Sequence, residues 1–221
     1  MKKFLGTRAQ AIVKVLARLT IKKFKPAIIG VTGTVGKTST KEAIYKVLSA
    51  KYRTRRNVGN FNGELGLPLT MLGNWSEADL VVISRDAKRV SLFRKFGFFA
   101  WVAISSVVRL LLPKFVYWLT NAKYPEMIVL EYAADRPGDL AYLISVARPT
   151  ISVVTAVGDI PVHVEFYDGP EDVAREKGRL VEALLANGTA ILNADDPRVL
   201  AMKDKTRAKV MTYGFSQGAQ V

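Results

Sequence analysis

Short apolar runs recur along the chain, separated by stretches with helical spacing or turn residues. Ala27-Ile28-Ile29-Gly30 reads as a strand running into a glycine-rich loop, and Ala43, Ile44, Val47 and Leu48 then share one face of a helix from about Thr38 to Ala50. Residues 51–73, crowded with Asn57, Gly59, Asn60, Asn62, Gly63, Gly66 and Pro68, read as loop, and Leu80-Val81-Val82-Ile83 as a further strand. Met127-Ile128-Val129-Leu130 is a strand ending in Glu131, followed by a helix over 138–147. Ile151 to Val157 carries no charge, as in a buried parallel strand. A helix over Pro170 to Leu185 is signalled by Asp168 or Gly169 as cap, Pro170 in the first turn, and Glu171 and Asp172 at its positive end. Thr189 to Leu192 is a strand followed directly by Asn193, and Val210 to Tyr213 is another. Strands alternate with helices, without internal repeats. The pattern predicts an α/β fold, a mostly parallel sheet flanked by helices on both faces.

Two segments stand outside that alternation. In 1–25, Phe4, Leu5, Ile12, Leu16 and Leu19 fall near helical spacing with Lys and Arg between them. In 92–120, no charge occurs from Phe98 to Val108; Arg109, Pro113 and Lys114 then interrupt a run too short to span a bilayer as one helix. Net charge sharpens the picture. The 221 residues carry 33 Lys and Arg against 19 Asp and Glu, a balance of +14, and the excess is local. Residues 1–26 contain no acid, and 86–123 contain only Asp86. Basic residues beside apolar ones suit a membrane-surface helix over 1–25 and an interfacial or re-entrant helix pair over 92–120, with Phe98, Phe99, Trp101, Phe115, Tyr117 and Trp118 at headgroup depth. The alternatives are helices packed on their own domain, a buried hairpin or a dimer interface. Nucleic acid is not expected, because these cations flank apolar runs instead of lining a polar face. The interrupted apolar run and missing cleavage site argue against a signal peptide. With no cysteine, disulfides and thiolate chemistry are excluded, and the single His163 excludes a multi-histidine metal site.

The chemistry concentrates in Gly30-Val31-Thr32-Gly33-Thr34-Val35-Gly36-Lys37-Thr38-Ser39-Thr40. Gly33 and Gly36 permit a tight turn whose N–H groups face phosphate oxygens; Lys37 reaches the outer phosphates, the Thr38 hydroxyl suits Mg²⁺, and the following helix adds its positive end. In a general P-loop the position of Val31 would be glycine. In an open α/β sheet, ligands gather beyond the carboxyl ends of strands. Glu131, Asn193 and Val157-Gly158-Asp159, with His163 a few residues on, all lie there. Lys177 reads, on its surroundings alone, as a solvated helix lysine.

Four stretches together resemble the Mur ligase family, ATP-dependent ligases of peptidoglycan precursors: GVTGTVGKTSTKEAI, GNFNGELGLPLTML, MIVLEYAADRPGDLAYLISVARPTISVVTAVG, and HVEFYDGPEDVAREKGRLVEAL followed by GTAILNADDPRVLAM. They cover about 27–85 and 124–215, most of that family's central ATPase domain. The resemblance implies roles. Gly33, Thr34, Gly36, Lys37, Thr38 and Ser39 would hold the ATP phosphates; Thr38 and Glu131 would bind a first Mg²⁺ and His163 a second. Lys177, implied with Lys37 and His163 as catalytic and with Thr38, Glu131 and His163 as a metal ligand, matches a lysine that becomes carbamylated, exchanging its positive charge for a negative one, and Asn193 matches the residue that meets adenine. Asn60 and Asn62 fall where the acceptor substrate lies. The implied reaction passes through an acyl phosphate that an amine captures; the closest pattern is that of the member joining D-Ala-D-Ala to a UDP-muramoyl tripeptide.

The chain departs from the family at Val35 and Ala156, each where an Asn is usual, and the path from Ala156 to His163 is about two residues longer. The expected organisation is a basic amphipathic helix over 1–26 and a central ATP-binding domain over 27–221. A membrane-associating insertion is expected at about 86–123. The family's N-terminal UDP-binding and C-terminal ligase domains fall outside it, which leaves a missing domain or partner chain to supply their roles. Site of action is expected to be the inner face of the cytoplasmic membrane. Two other readings stay open: a cyanophycin-synthetase-like or lipid-II-amidating ligase, and a membrane-associated P-loop ATPase without ligase activity.

Overall fold

The structure is a computed structural model describing residues 2–59, 61–84, 90–113, 123–133, 135–158 and 166–221. Helix α1 (Lys2–Phe24) leads into β1 (Ala27–Thr32), α2 (Lys37–Ser49) and β2 (Thr54–Arg56). Next come α3 (Gly66–Leu72), α4 (Glu77–Leu80) with a 3₁₀ turn (Val81–Ile83), and α5 (Leu92–Leu111). The chain continues through β3 (Met127–Glu131), α6 (Asp139–Val146), β4 (Ile151–Val154) and α7 (Pro170–Glu182). It closes with β5 (Thr189–Asn193), α8 (Pro197–Leu200) with a 3₁₀ turn (Ala201–Lys205), and β6 (Lys209–Tyr213). Among the described residues six parallel strands form one sheet in the order β2-β3-β1-β4-β5-β6. Strand order reverses around β1, since β2 and β3 lie on one side of it and β4 to β6 on the other.

The alternating side chains of the strands fix the layers. Ile28, Ile128 and Leu130 point to a core shared with α1, α3, α5 and α6. Ile29, Val31, Val129 and Val153 point to the other face, where Ile44 and Leu48 of α2 cover them. Each apolar strand is therefore covered on both sides, which is why those runs read as continuous. Helix α1 packs on its own domain through Val13, Leu16, Ala17 and Thr20, all buried, while Ile12 and Leu19 on its outer side are exposed. Lys23 closes the carboxyl end of α5 by donating to the Arg109 and Leu110 carbonyls at 2.8 and 2.9 Å.

Five expectations are corrected. Leu80–Ile83 is helical, not a strand. Ser76 and Asp79 form a capping box that starts α4, and Leu80 and, three residues on, Ile83 then pack on the core, the spacing of a helix. Residues 51–73 are not all loop: Thr54–Arg56 pairs with β3 as an edge strand, and Gly66–Leu72 is a helix buried at every position. The strand from Ile151 ends at Val154, after which Ala156 turns across to pair with Val35. The helix from Pro170 ends at Glu182, short of Leu185, and of the apolar segment 92–120 the part Leu92–Leu111 is a single helix that stops before Pro113. Residues 114–122 lie outside the described residues, as do Asn60 and His163.

Candidate active site

Strand register brings the chemistry to one edge. Val31 lies beside Glu131, Thr32 beside Val154, Val154 beside Leu192, and Asn193 beside Tyr213. The loop leaving β1, the end of β3 and the end of β5 are thus level, at the point where strand order reverses.

The loop is shaped by its glycines and by the main chain opposite. Gly33 has φ 148°, and a Cβ there would sit 1.9 Å from Thr155 Oγ1. Gly36 has φ 80° and occupies the N-cap of α2, where it provides no side-chain cap. The first N–H groups of α2 are consequently left for an anion. Thr34 N–H donates to the Ala156 carbonyl at 2.6 Å, and the Thr155 hydroxyl donates to the Val35 carbonyl at 2.6 Å. Val35 and Ala156, the two positions where Asn was expected, face each other across this antiparallel bridge. Main-chain bonds hold the loop there, and the Val35 side chain, 62% exposed, takes no part.

Lys37 folds back to donate to the Thr34 carbonyl at 2.8 Å. Burial pulls its ammonium below the ordinary value, against the opposing pull of Glu131 and Asp135. The Thr38 hydroxyl donates to Glu131 Oε2 at 2.8 Å, and Asn62 Nδ2 donates to Glu131 Oε1 at 2.9 Å. Glu131 itself is buried, and its N–H donates to Asn57 Oδ1 at 2.8 Å. Asn57 is held in turn by fully buried Lys41, which donates to its carbonyl at 2.9 Å and pairs with Glu42 at 3.2 Å. Lys177 is not a solvated helix lysine: it is 4% exposed. Burial first, and the charge of Lys37 second, bring its pKa down to about 8, while Asp135 and Glu176 pull the other way. Its neighbour Glu176 accepts the Gly138 and Leu140 N–H groups at the start of α6, fixing α6 against α7. Asp196 ties the end of β4 to α8 by accepting from Val157 and Gly158 N–H, at 2.7 and 3.0 Å, and from Arg198 and Val199 N–H. Asn193 lies at the same edge, its Oδ1 accepting from Asp195 N–H at 2.9 Å.

The donor set fits a metal–nucleotide. Thr38 and Glu131 offer hard oxygens of the kind Mg²⁺ takes, and the Thr34 hydroxyl is buried with no hydrogen-bond partner among the described residues. Among those residues, no group of three or more His, Asp and Glu forms a metal cluster. The structure therefore gathers Gly33, Thr34, Gly36, Lys37, Thr38, Glu131 and Asn62, and sets Lys177 close enough for its charge to act on Lys37. Ser39 is exposed in the first turn of α2. Asn57, Asp135, Thr155 and Asp196 went unnoticed in the sequence. Asp196 before Pro197 was the one with a signal, an N-cap followed by proline at the first helical position.

Comparison with known proteins bears on this geometry. A family model described as the Mur ligase middle domain matches residues 31–95 and 109–221. The chain is 32% identical over 184 residues to UDP-N-acetylmuramoyl-tripeptide–D-alanyl-D-alanine ligase of Mycobacterium leprae, covering 83% of this chain and 26% of that protein. It is 26% identical over 199 residues to the enzyme of the same name from Bacillus subtilis, covering 90% of this chain and 32% of that protein. Among solved structures, the MurF ligase from Thermotoga maritima in complex with ADP superposes with a TM-score of 0.65 at 28% identity, covering 93% of this chain and 36% of that one. The chain thus spans about a quarter to a third of the length of these relatives.

Proposed function

This chain belongs to the Mur ligase family, through its middle domain, and on that premise we propose that it is the ATP-using part of a peptide ligase of peptidoglycan precursor synthesis. In this reading it helps join D-Ala-D-Ala to a UDP-muramoyl tripeptide. The observation that carries the reading is the Thr38–Glu131 contact at the mouth of the glycine loop, with Lys37 beside it. ATP phosphates lie against the N–H groups of Gly33 to Ser39, and Asn193 meets adenine. Thr38 and Glu131 would hold a first Mg²⁺ and His163 a second, and the metal would neutralise phosphate charge when bound. Asn62, which already touches Glu131, and Asn60 face the acceptor.

A substrate carboxylate oxygen attacks the γ-phosphorus, and the bond to the ADP oxygen breaks. Lys37 faces the charge that develops on the phosphoryl oxygens. The amine of the dipeptide then attacks the acyl carbon, a C–N bond forms, and phosphate leaves with the oxygen that belonged to the carboxylate. Lys177 as a carbamate presents an anion in place of a buried cation next to Lys37. The parts that bind the UDP-sugar and the amine belong to chain outside this span or to a partner chain. The enzyme acts in the cytoplasm at the inner face of the membrane, which 1–25 and 92–120 meet.

The test supplies the protein, in the full length its gene encodes, with ATP, Mg²⁺, UDP-muramoyl tripeptide and D-Ala-D-Ala. Release of ADP and phosphate that requires both peptide substrates, with one pentapeptide formed per ADP, is the expected result. ATP hydrolysis indifferent to both peptides would refute the ligase reading.

A further inference from the structure

Helix α5 buries one side and leaves the other to solvent. On its inner side Val102 and Ser106 have no exposed surface, and Phe98 packs against Trp75 with ring centroids 5.2 Å apart. On its outer side Phe93, Phe96, Trp101, Ile104, Val108 and Leu111 are 48–87% exposed and follow a helical spacing. From 93 to 111 that stripe runs about 27 Å at the α-helical rise. Its only hydrogen-bonding side chain is the Trp101 indole, and no charge interrupts the helix between Lys95 and Arg109. The family match leaves out 96–108, the centre of the stripe, so this face belongs to this chain and not to the shared domain.

Cations outnumber acids around the stripe. Arg94 and Lys95 sit in the first turn of α5, with Asp79 near Arg94; Arg109 in the last turn is turned inward onto the Leu72 carbonyl, and α5 itself contains no Asp or Glu. Helix α1, packed against α5, also contains no acid and exposes Arg18 and Lys22 beside Ile12, Val15 and Leu19. A contiguous exposed apolar face rimmed by polar residues marks an interaction surface. A protein partner would need about one hydrogen bond per 100–200 Å², which this stripe cannot offer. A lipid surface asks for apolar burial with cations at its edge. No described helix is long and apolar enough to cross a membrane.

We propose that the outer face of α5, flanked by the cations of α1 and α5, docks on an anionic lipid surface, with α5 lying in the plane of the interface. The proposal rests on the reading of 1–25 and 92–120 as the segments that meet the membrane, and is independent of the ligation chemistry. Phe93, Phe96 and Trp101 enter the headgroup–acyl boundary.

The test mixes the full chain with vesicles of phosphatidylcholine, with or without phosphatidylglycerol, and follows sedimentation and quenching of tryptophan by brominated acyl chains. Binding is expected for the anionic vesicles, weakening as salt is added. The double variant Phe96→Ser/Trp101→Ser should lower partitioning by at least about ten-fold. Because both side chains face solvent, helix content and ATP binding should be unchanged. Absence of binding to either vesicle, or binding that ignores lipid charge and salt, would overturn the proposal. So would a dimer of the parent chain that the double variant dissociates, which would give the face to a second copy. Loss of ATP binding in chain that still sediments with lipid would count against the nucleotide reading and leave this one standing.

Discussion

Replacing Lys37 with alanine is expected to lower ATP-dependent turnover by on the order of 10²–10³-fold, the cost typical of losing one donor aimed at transition-state charge. The fold should survive. Among the described residues Lys37 Nζ makes one hydrogen bond, to the Thr34 carbonyl, and the loop is held separately by the Thr34–Ala156 and Thr155–Val35 bonds. Lys37→Arg should fail to restore the rate. The loop fits a compact ammonium reaching back over Thr34, and a planar guanidinium presents its donors in another geometry. Steady-state kinetics and thermal unfolding on the same preparations check this. Turnover within about two-fold of the parent would remove Lys37 from the transition state.

Lys177→Ala should lose turnover comparably and, unlike Lys37→Ala, recover part of it when a short-chain carboxylic acid is added. The reason lies in two like charges. Lys177, 4% exposed, sits within the field of Lys37, and its burial together with that field brings it to about 8. An amine near 8 is unprotonated in roughly a tenth of the molecules at pH 7, far more than one near 10.5, and an unprotonated amine combines with CO₂ to give a carbamate and a proton. In uncarbamylated protein the folded-state value lies below the ordinary 10.5, so the unfolded chain holds the proton to higher pH. Stability contributed by this group therefore rises as pH increases from about 8 to 10.5, and the protonated amine is a liability throughout lower pH. Carbamylation removes that liability near neutrality. Added ¹³C-bicarbonate should give a carbamate carbon resonance that grows between about pH 7 and 9 and is missing in Lys177→Ala. A resonance that persists in the variant, or activity without rescue by acid, would contradict the assignment.

The sheet was legible wherever a strand is covered on both faces. Ile28, Ile29, Val129 and Ile191 belong to runs with no polar alternation to misread, closed by Gly30, Glu131 and Asn193. The failures have separate physical causes. Thr54–Arg56 is a polar edge strand, whose hydrogen bonding to β3 leaves no mark in hydropathy. Gly66–Leu72 is buried all round, so it has no amphipathic period, and Gly66 and Pro68 disguise it as loop. Leu80–Ile83 is an apolar run of four, which suits strand and helix equally; the capping pair Ser76 and Asp79 was the signal that decides it.

At the site, residues tied to one local motif were readable, and those defined by tertiary contact were not. Gly33 through Ser39 announce themselves by spacing. Lys177 does not, because its burial depends on how α7 packs near the glycine loop, and physics applied to the sequence alone put it in solvent. Asn57 joins Lys41 to Glu131 across two hydrogen bonds that no spacing foretells. At Val35 the sequence shows only that the family's usual Asn amide is lost. Opposite Ala156, Val35 is one half of a main-chain bridge whose carbonyl is held by the Thr155 hydroxyl, and its own exposed side chain takes no part.

Acyl-phosphate ligation by a Mur-type ATP site is the central claim, and oxygen transfer tests it most directly. The terminal carboxylate of the UDP-muramoyl tripeptide is labelled with ¹⁸O and turned over with ATP, Mg²⁺ and D-Ala-D-Ala, and the released phosphate is analysed by mass. One ¹⁸O per phosphate, appearing in step with pentapeptide, is the expected result. Phosphate released without label from the same reaction would mean that water, not the carboxylate, meets the γ-phosphorus, and would contradict the claim.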